Sequence, residues 1–317
     1  MSVPVIQHVS YYLVGGAHMG GLKRVATRQK VNTIDAWVTV GYWSGGMTKQ
    51  EAREKMVRSV DRAVSLFGIK HVFLALNGQS ASDLVGSEIK ANLLAMHKHR
   101  HRVCALELAD EPAWTNQQTK DNLAMLRAKV AQAWPDRPIP PIGIMYTPEQ
   151  VRDMTPGGAA MSIAPPVAGG EGADFIGFEA YCNRLAVRNG KKGPWDMGAK
   201  FNRDFVRQTL TKGVARIHPM HRIQVTTQGF DRNGQFTQSD GLIHEENLVA
   251  LQKDTWEIVK TAAWAPRVDY VRMFNYARIS IKPGTNQVIG WGSQHYFKLQ
   301  EAQRTMIAEI RAAGGLA

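Results

Sequence analysis

Two acidic side chains stand side by side at Asp110-Glu111, just before Pro112, and a third, Glu179, lies in Phe178-Glu179-Ala180-Tyr181. Carboxyl groups in such positions move protons. Held neutral, one protonates a leaving oxygen; ionised, it activates a water. Residues suited to holding a substrate accompany them: the amides Asn77 and Gln228, and the aromatics Trp43, Trp114, Tyr146, Tyr181, Tyr276 and Trp291. Aromatic faces pack on the C–H faces of sugars, so acids ringed by aromatics suit carbohydrate chemistry. Other chemistries lack their residues. Gln7-His8 stands where a metal-dependent barrel hydrolase would carry His-x-His, and two cysteines, Cys104 and Cys182, sit inside apolar runs that suit buried thiols. No metal and no cofactor is expected.

These residues need elements to bring them together. Strand-like runs recur at Val3–Tyr12, Asp35–Tyr42, His71–Asn77, Val103–Asp110, Pro141–Tyr146, Asp174–Tyr181, Arg222–Gln228 and Asp269–Ala277. Helical stretches fall at roughly 48–67, 82–98, 115–134, 196–214, 242–263 and 294–313. Thr48-Lys49-Gln50-Glu51 and Thr115-Asn116-Gln117-Gln118 fit capping boxes, and Thr147-Pro148 places proline at a first helical position. Met56, Val60, Val64 and Phe67 repeat on one helical face. Strand–helix alternation implies parallel strands. Eight units in 317 residues fit a single (β/α)8 barrel spanning 1–317, an α/β fold of the TIM type. An open doubly wound sheet would want a Gly-x-Gly-x-x-Gly turn after the first strand, and none is present. The Gly-, Pro- and Ala-rich connection 155–173 is too long for a simple turn and is expected to overhang the site as a lid.

Alternation along the strands sorts the inward side chains. Ala105, Glu107, Ala109 and Glu111 share one parity, opposite the apolar one that should meet the helices, so Glu107 and Glu111 are expected to point inward; Glu179, Gln228 and Tyr276 fall inward on later strands. Those at the C-terminal strand ends stand where barrel enzymes do chemistry. Glu107 and Arg272 lie deeper and are expected to form a buried ion pair, since a lone buried charge is costly.

Ala109-Asp110-Glu111-Pro112 resembles the strand-four signature of barrel glycoside hydrolases of clan A, in which an acid or amide precedes a glutamic acid. The likeness continues through Asp174–Tyr181, Val225-Thr226-Thr227-Gln228-Gly229-Phe230 and Tyr270–Tyr276. The resemblance implies Glu111 as general acid/base. It also implies a glutamate nucleophile on strand seven, where this chain has Gln228, and an amide cannot form the usual covalent intermediate.

Three readings follow. Asp110-Glu111 is similar to the pair of substrate-assisted N-acetylhexosaminidases, in which the aspartate orients the substrate's acetamido group; strict alternation aims Asp110 outward, so this needs a bulge or bend at the strand end. Alternatively Glu111 and Glu179, two strands and about 10 Å apart, act through a water with inversion. In the third, the barrel is catalytically degenerate and binds glycan or serves as a structural protein, such as a virion component.

Thirty-nine Lys and Arg against 27 Asp and Glu give a net charge of +12, which favours an anionic polymer or protein partner. The densest basic run, His97–Arg102, leads into strand four and so lies opposite the active face. Scattered basic residues without a familiar motif disfavour nucleic acid. No apolar run is long enough to span a membrane. No secretory leader is read at Met1–Val5, so the expected location is cytoplasmic, virion-associated or reached by non-classical export.

Overall fold

The protein is described from a computed structural model. It describes residues 3–11, 24–37, 48–76, 86–110, 114–146, 172–180, 203–228, 230–232, 245–274, 290–293 and 296–316. Eight parallel strands close into a barrel: β1 (His8–Tyr11), β2 (Thr33–Trp37), β3 (His71–Ala75), β4 (Val103–Asp110), β5 (Ile142–Tyr146), β6 (Phe175–Ala180), β7 (Arg222–Gln228) and β9 (Val268–Phe274), with β9 pairing back to β1. Two short strands, β8 (Phe230–Arg232) and β10 (Gly290–Gly292), make a separate antiparallel pair. All eight expected barrel strands are present. The first starts later than its apolar run, and the second starts two residues early, at Thr33.

Six α-helices are described: α1 (Lys49–Phe67), α2 (Gly86–Ala95), α3 (Asn116–Ala133), α4 (Arg203–Arg216), α5 (Glu245–Thr261) and α6 (Phe297–Ala312). α1 and α3 start as the sequence predicts: Thr48 and Thr115 each close a capping box, with Glu51 and Gln118 returning the bond. α1 ends on Gly68, whose φ of 67° is left-handed and suits glycine. Its inward face carries Ala52, Met56, Val60 and Ala63, while Val64 and Phe67 pack partly buried at its edge. The expected helix start at Thr147-Pro148 and the connection through residue 171 lie outside the described residues.

Two apolar layers hold the barrel. The larger lies between sheet and helices and includes Val72, Leu74, Leu106, Ile144, Ile176 and Val225. The smaller fills the lower barrel with Phe73, Ala105, Phe175 and Tyr270. Phe175 and Tyr270 lie 4.9 Å apart between ring centroids, and His8 stacks on Tyr270 at 5.2 Å. Burial beside His71 drops the His8 pKa to about 4, so this imidazole stays neutral in the aromatic floor.

Gly143 is required by that floor. A Cβ there would run into the ring of Phe175, which is itself buried and flanked by Phe73 and Tyr270. Gly143→Ala is therefore expected to destabilise the fold by about 1–3 kcal/mol, as overpacked cores do. Urea denaturation checks this; an unchanged midpoint would show that the floor yields freely.

Candidate active site

Inward side chains above the floor are polar. Arg272 on β9 sits at the centre, with its Nε 2.8 Å from Asp35 on β2 and its Nη1 2.9 Å from Glu107 on β4. All three are buried, and the guanidinium also lies 4.5 Å from the centroid of the Phe73 ring. Gln224 on β7 lies against Glu107, and Ser10 on β1 lies against Asp35. The expected Glu107–Arg272 pair is thus part of a trio. Asp35 went unassigned in the sequence, although its place between Ile34 and Ala36 already marks it as the inward residue of β2. One cation cannot neutralise two carboxylates. Burial pushes both carboxyls above their usual range, against the pull of Arg272.

Above this trio, Glu179 on β6 stands in register with Thr226 on β7, and Thr226 with Arg272. Glu179 is only 6% exposed. Met145 reaches the same level from β5, with its Sδ 3.6 Å from the Thr226 hydroxyl. Gly177 leaves room for it, since a Cβ there would come within 2.7 Å of that sulfur.

β4 departs from strict alternation. Its pairing with β5 runs Leu106 to Ile142 and Glu107 to Gly143, then shifts, so that Ala109 meets Ile144 and Asp110 meets Met145. One residue of β4 is extra. The sequence expectation that Ala109 faces inward with Glu107 is corrected here: Ala109 packs in the outer apolar layer. Past the bulge it is Asp110, not Ala109, that shares register with Met145, a residue inside the barrel, and the parity that grouped Glu111 with Ala109 no longer assigns Glu111 to the lumen.

The remaining predicted site residues divide into three groups. Gln228 is the last residue of β7, in register with Phe274, and Trp291 lies on β10 opposite Asp231. Glu111, Trp43, Asn77, Tyr181 and Tyr276 fall outside the described residues. Tyr146 and Trp114 are core rings, 0% and 4% exposed within the outer apolar layer. Tyr146 has the same parity as Ile142 and Ile144, a pattern visible in the sequence, and burial pushes its hydroxyl pKa upward. Neither ring offers an open face to a sugar, which corrects their place among the expected platform aromatics.

Among the described residues no three His, Cys, Asp or Glu side chains gather in a metal-binding group, and no helix is long and apolar enough to cross a membrane. Cys104 is a free thiol bonded to the Val72 carbonyl, its pKa raised by burial.

No family model and no curated protein matches the sequence. Solved structures do. The chain is similar to the exo-beta-1,4-mannosidase Op5Man5 from Opitutaceae bacterium strain TAV5, with a TM-score of 0.59 at 12% identity over 98% of this chain and 60% of that one. It is similar to the beta-glucuronidase of Faecalibacterium prausnitzii, with a TM-score of 0.57 at 10% identity over 96% of this chain and 49% of that one. The beta-D-glucuronidase of Dictyoglomus thermophilum gives 0.54 at 11% identity, over 96% and 50%. At such identities the likeness establishes the barrel fold. This chain spans between about half and three fifths of the length of those proteins.

Proposed function

We propose that this barrel is a glycoside hydrolase, and that it cleaves an N-acetylated poly- or oligosaccharide with the substrate's acetamido group as nucleophile. The barrel is of a kind used by glycosidases for mannosides and glucuronides. The observation that carries the finer reading is the bulge in β4. An Asp-Glu pair acting on an acetamido group needs its aspartate on the inward register, and the shift between Glu107 and Ala109 brings Asp110 level with Met145.

The chemistry then runs in two steps. Glu111 protonates the glycosidic oxygen while the acetamido oxygen attacks the anomeric carbon, breaking the bond to the leaving sugar. Asp110 accepts a hydrogen bond from the acetamido N–H, which grows more acidic as the ring closes. Water next adds to the same carbon, giving its proton to Glu111 and releasing the acetamido oxygen. No enzyme carboxylate becomes bonded to sugar, so an amide at the end of β7, Gln228, is compatible with turnover and suits a substrate hydroxyl as partner. Asn77, Tyr181, Tyr276, Trp43 and Trp291 are assigned to holding the glycan.

Two displacements at one carbon return the original configuration. NMR of the first-formed product should therefore show the anomer of the substrate. The inverted anomer would exclude this route and leave Glu111 with Glu179 acting through water. Glycan binding by calorimetry without any turnover would instead make the chain a degenerate, glycan-binding barrel.

A further inference from the structure

The opposite end of the barrel, where strands begin and helices end, carries an unabsorbed concentration of charge. The connections entering the strands hold nine Lys or Arg against three Asp: Arg28, Lys30, Lys70, Lys98, Arg100, Arg102, Arg137, Arg222 and Arg267, against Asp136, Asp174 and Asp269. The acids are already engaged. Asp136 holds Arg100, Asp269 holds Arg222 and Asp174 holds Arg127, while Asp61 at the end of α1 holds Lys98 and His99. The last turns of α1, α2 and α3 contain no basic residue, while Arg28, Arg100, Arg102 and Arg267 lie in the last turns of short helical segments. Some of these cations serve the fold: Arg137 and Arg267 donate to backbone carbonyls at the loop ends. Lys70 and Arg102 are both exposed, and the Arg102 guanidinium lies 3.5 Å from the Lys70 carbonyl.

The same end bears exposed aliphatic side chains. Met220 is 66% exposed before β7, Leu66 60% at the end of α1, Val5 48% before β1 and Ile139 39% before β5. A single exposed aliphatic is ordinary. Four on the face that carries the excess charge make a mixed surface of cations and short apolar projections. One of the connections that form it is the 3-10 helix His97–Arg102, which carries Lys98, Arg100 and Arg102.

We infer that this face adsorbs to an anionic lipid surface, with Lys70, Arg102 and their neighbours against headgroups and Met220, Leu66, Val5 and Ile139 in the interfacial layer. Charge complementarity selects an anionic partner. The aliphatic projections select a bilayer over a nucleic-acid duplex, whose phosphates offer them nothing. Adsorbed this way, the barrel holds its catalytic end away from the membrane. The inference stands independently of the proposed hydrolysis.

Sedimentation of the full chain with vesicles tests it. Phosphatidylcholine vesicles containing phosphatidylglycerol should bind at least about tenfold more tightly than pure phosphatidylcholine, with the difference collapsing in high salt. The double variant Lys70→Glu with Arg102→Glu should weaken that binding by more than about tenfold at unchanged circular dichroism. Met220→Ser should weaken it several-fold at both salt concentrations. Absence of binding, equal binding to neutral vesicles, or indifference to the charge reversal would overturn the inference. So would a DNA duplex that binds the same face more tightly than the anionic vesicles and displaces them.

Discussion

Glu111→Gln is expected to lower turnover by about 10²–10⁴-fold on glycosides with poor leaving groups, the range that a positioned general acid supplies. The amide keeps the size of the acid and gives up only its transferable proton. Glycan affinity by calorimetry should therefore persist, and substrates whose leaving group needs no proton should lose much less. The comparison of the two leaving groups in one variant separates acid catalysis from a simple loss of folding. Equal losses on both would place Glu111 outside the proton transfer, and undiminished turnover would remove it from the chemistry.

The second large effect concerns stability. Arg272→Met removes the one cation shared by Asp35 and Glu107, which lie 2.8 and 2.9 Å from it inside the barrel. Leaving buried carboxyls without their partner costs about 3–5 kcal/mol. Denaturation in urea at neutral pH should show a loss of that order. Acid should recover part of it, because protonation removes the stranded charge. Wild type should show a weaker trend of the same sign. The carboxyls of Asp35 and Glu107 are both pushed above their unfolded values, so the folded chain holds more protons than the unfolded one between those values. Their contribution to stability is complete below the unfolded carboxylate pKa and is lost as pH rises through the raised folded values. Glu107→Gln, neutral at every pH, should flatten this slope. A slope unchanged in Glu107→Gln would show that the trio is not the titrating element.

The sequence made the barrel legible because each strand is an apolar run of the right length and the helices between them begin with readable caps. The Glu107–Arg272 pair is equally legible, since both residues fall on the inward parity of long apolar strands. Asp35 carries the same signal, standing between Ile34 and Ala36 on a strand that reaches back to Thr33. Ala109 departs from its expected side for a different reason. A β-bulge inserts a residue without a mark in composition, and Leu106, Leu108 and Ala109 are all acceptable on an outer face, so alternation gives no warning of the shift. Tyr146 stands at the mouth end of β5, but its parity with Ile142 and Ile144 turns it outward. Position along a strand sets the height of a side chain in the barrel, and parity sets whether it faces the lumen. Both are needed before an aromatic is assigned to sugar.

The proposed use of Asp110 and Glu111 makes one demand that no other mechanism shares. The substrate must carry its own nucleophile. Paired chromogenic glycosides with the same leaving group, one bearing a 2-acetamido group and the other a 2-hydroxyl, measure this directly. The account predicts turnover of the acetamido substrate and essentially none of its hydroxyl twin. Comparable turnover of both, or hydrolysis of the hydroxyl compound alone, would contradict it.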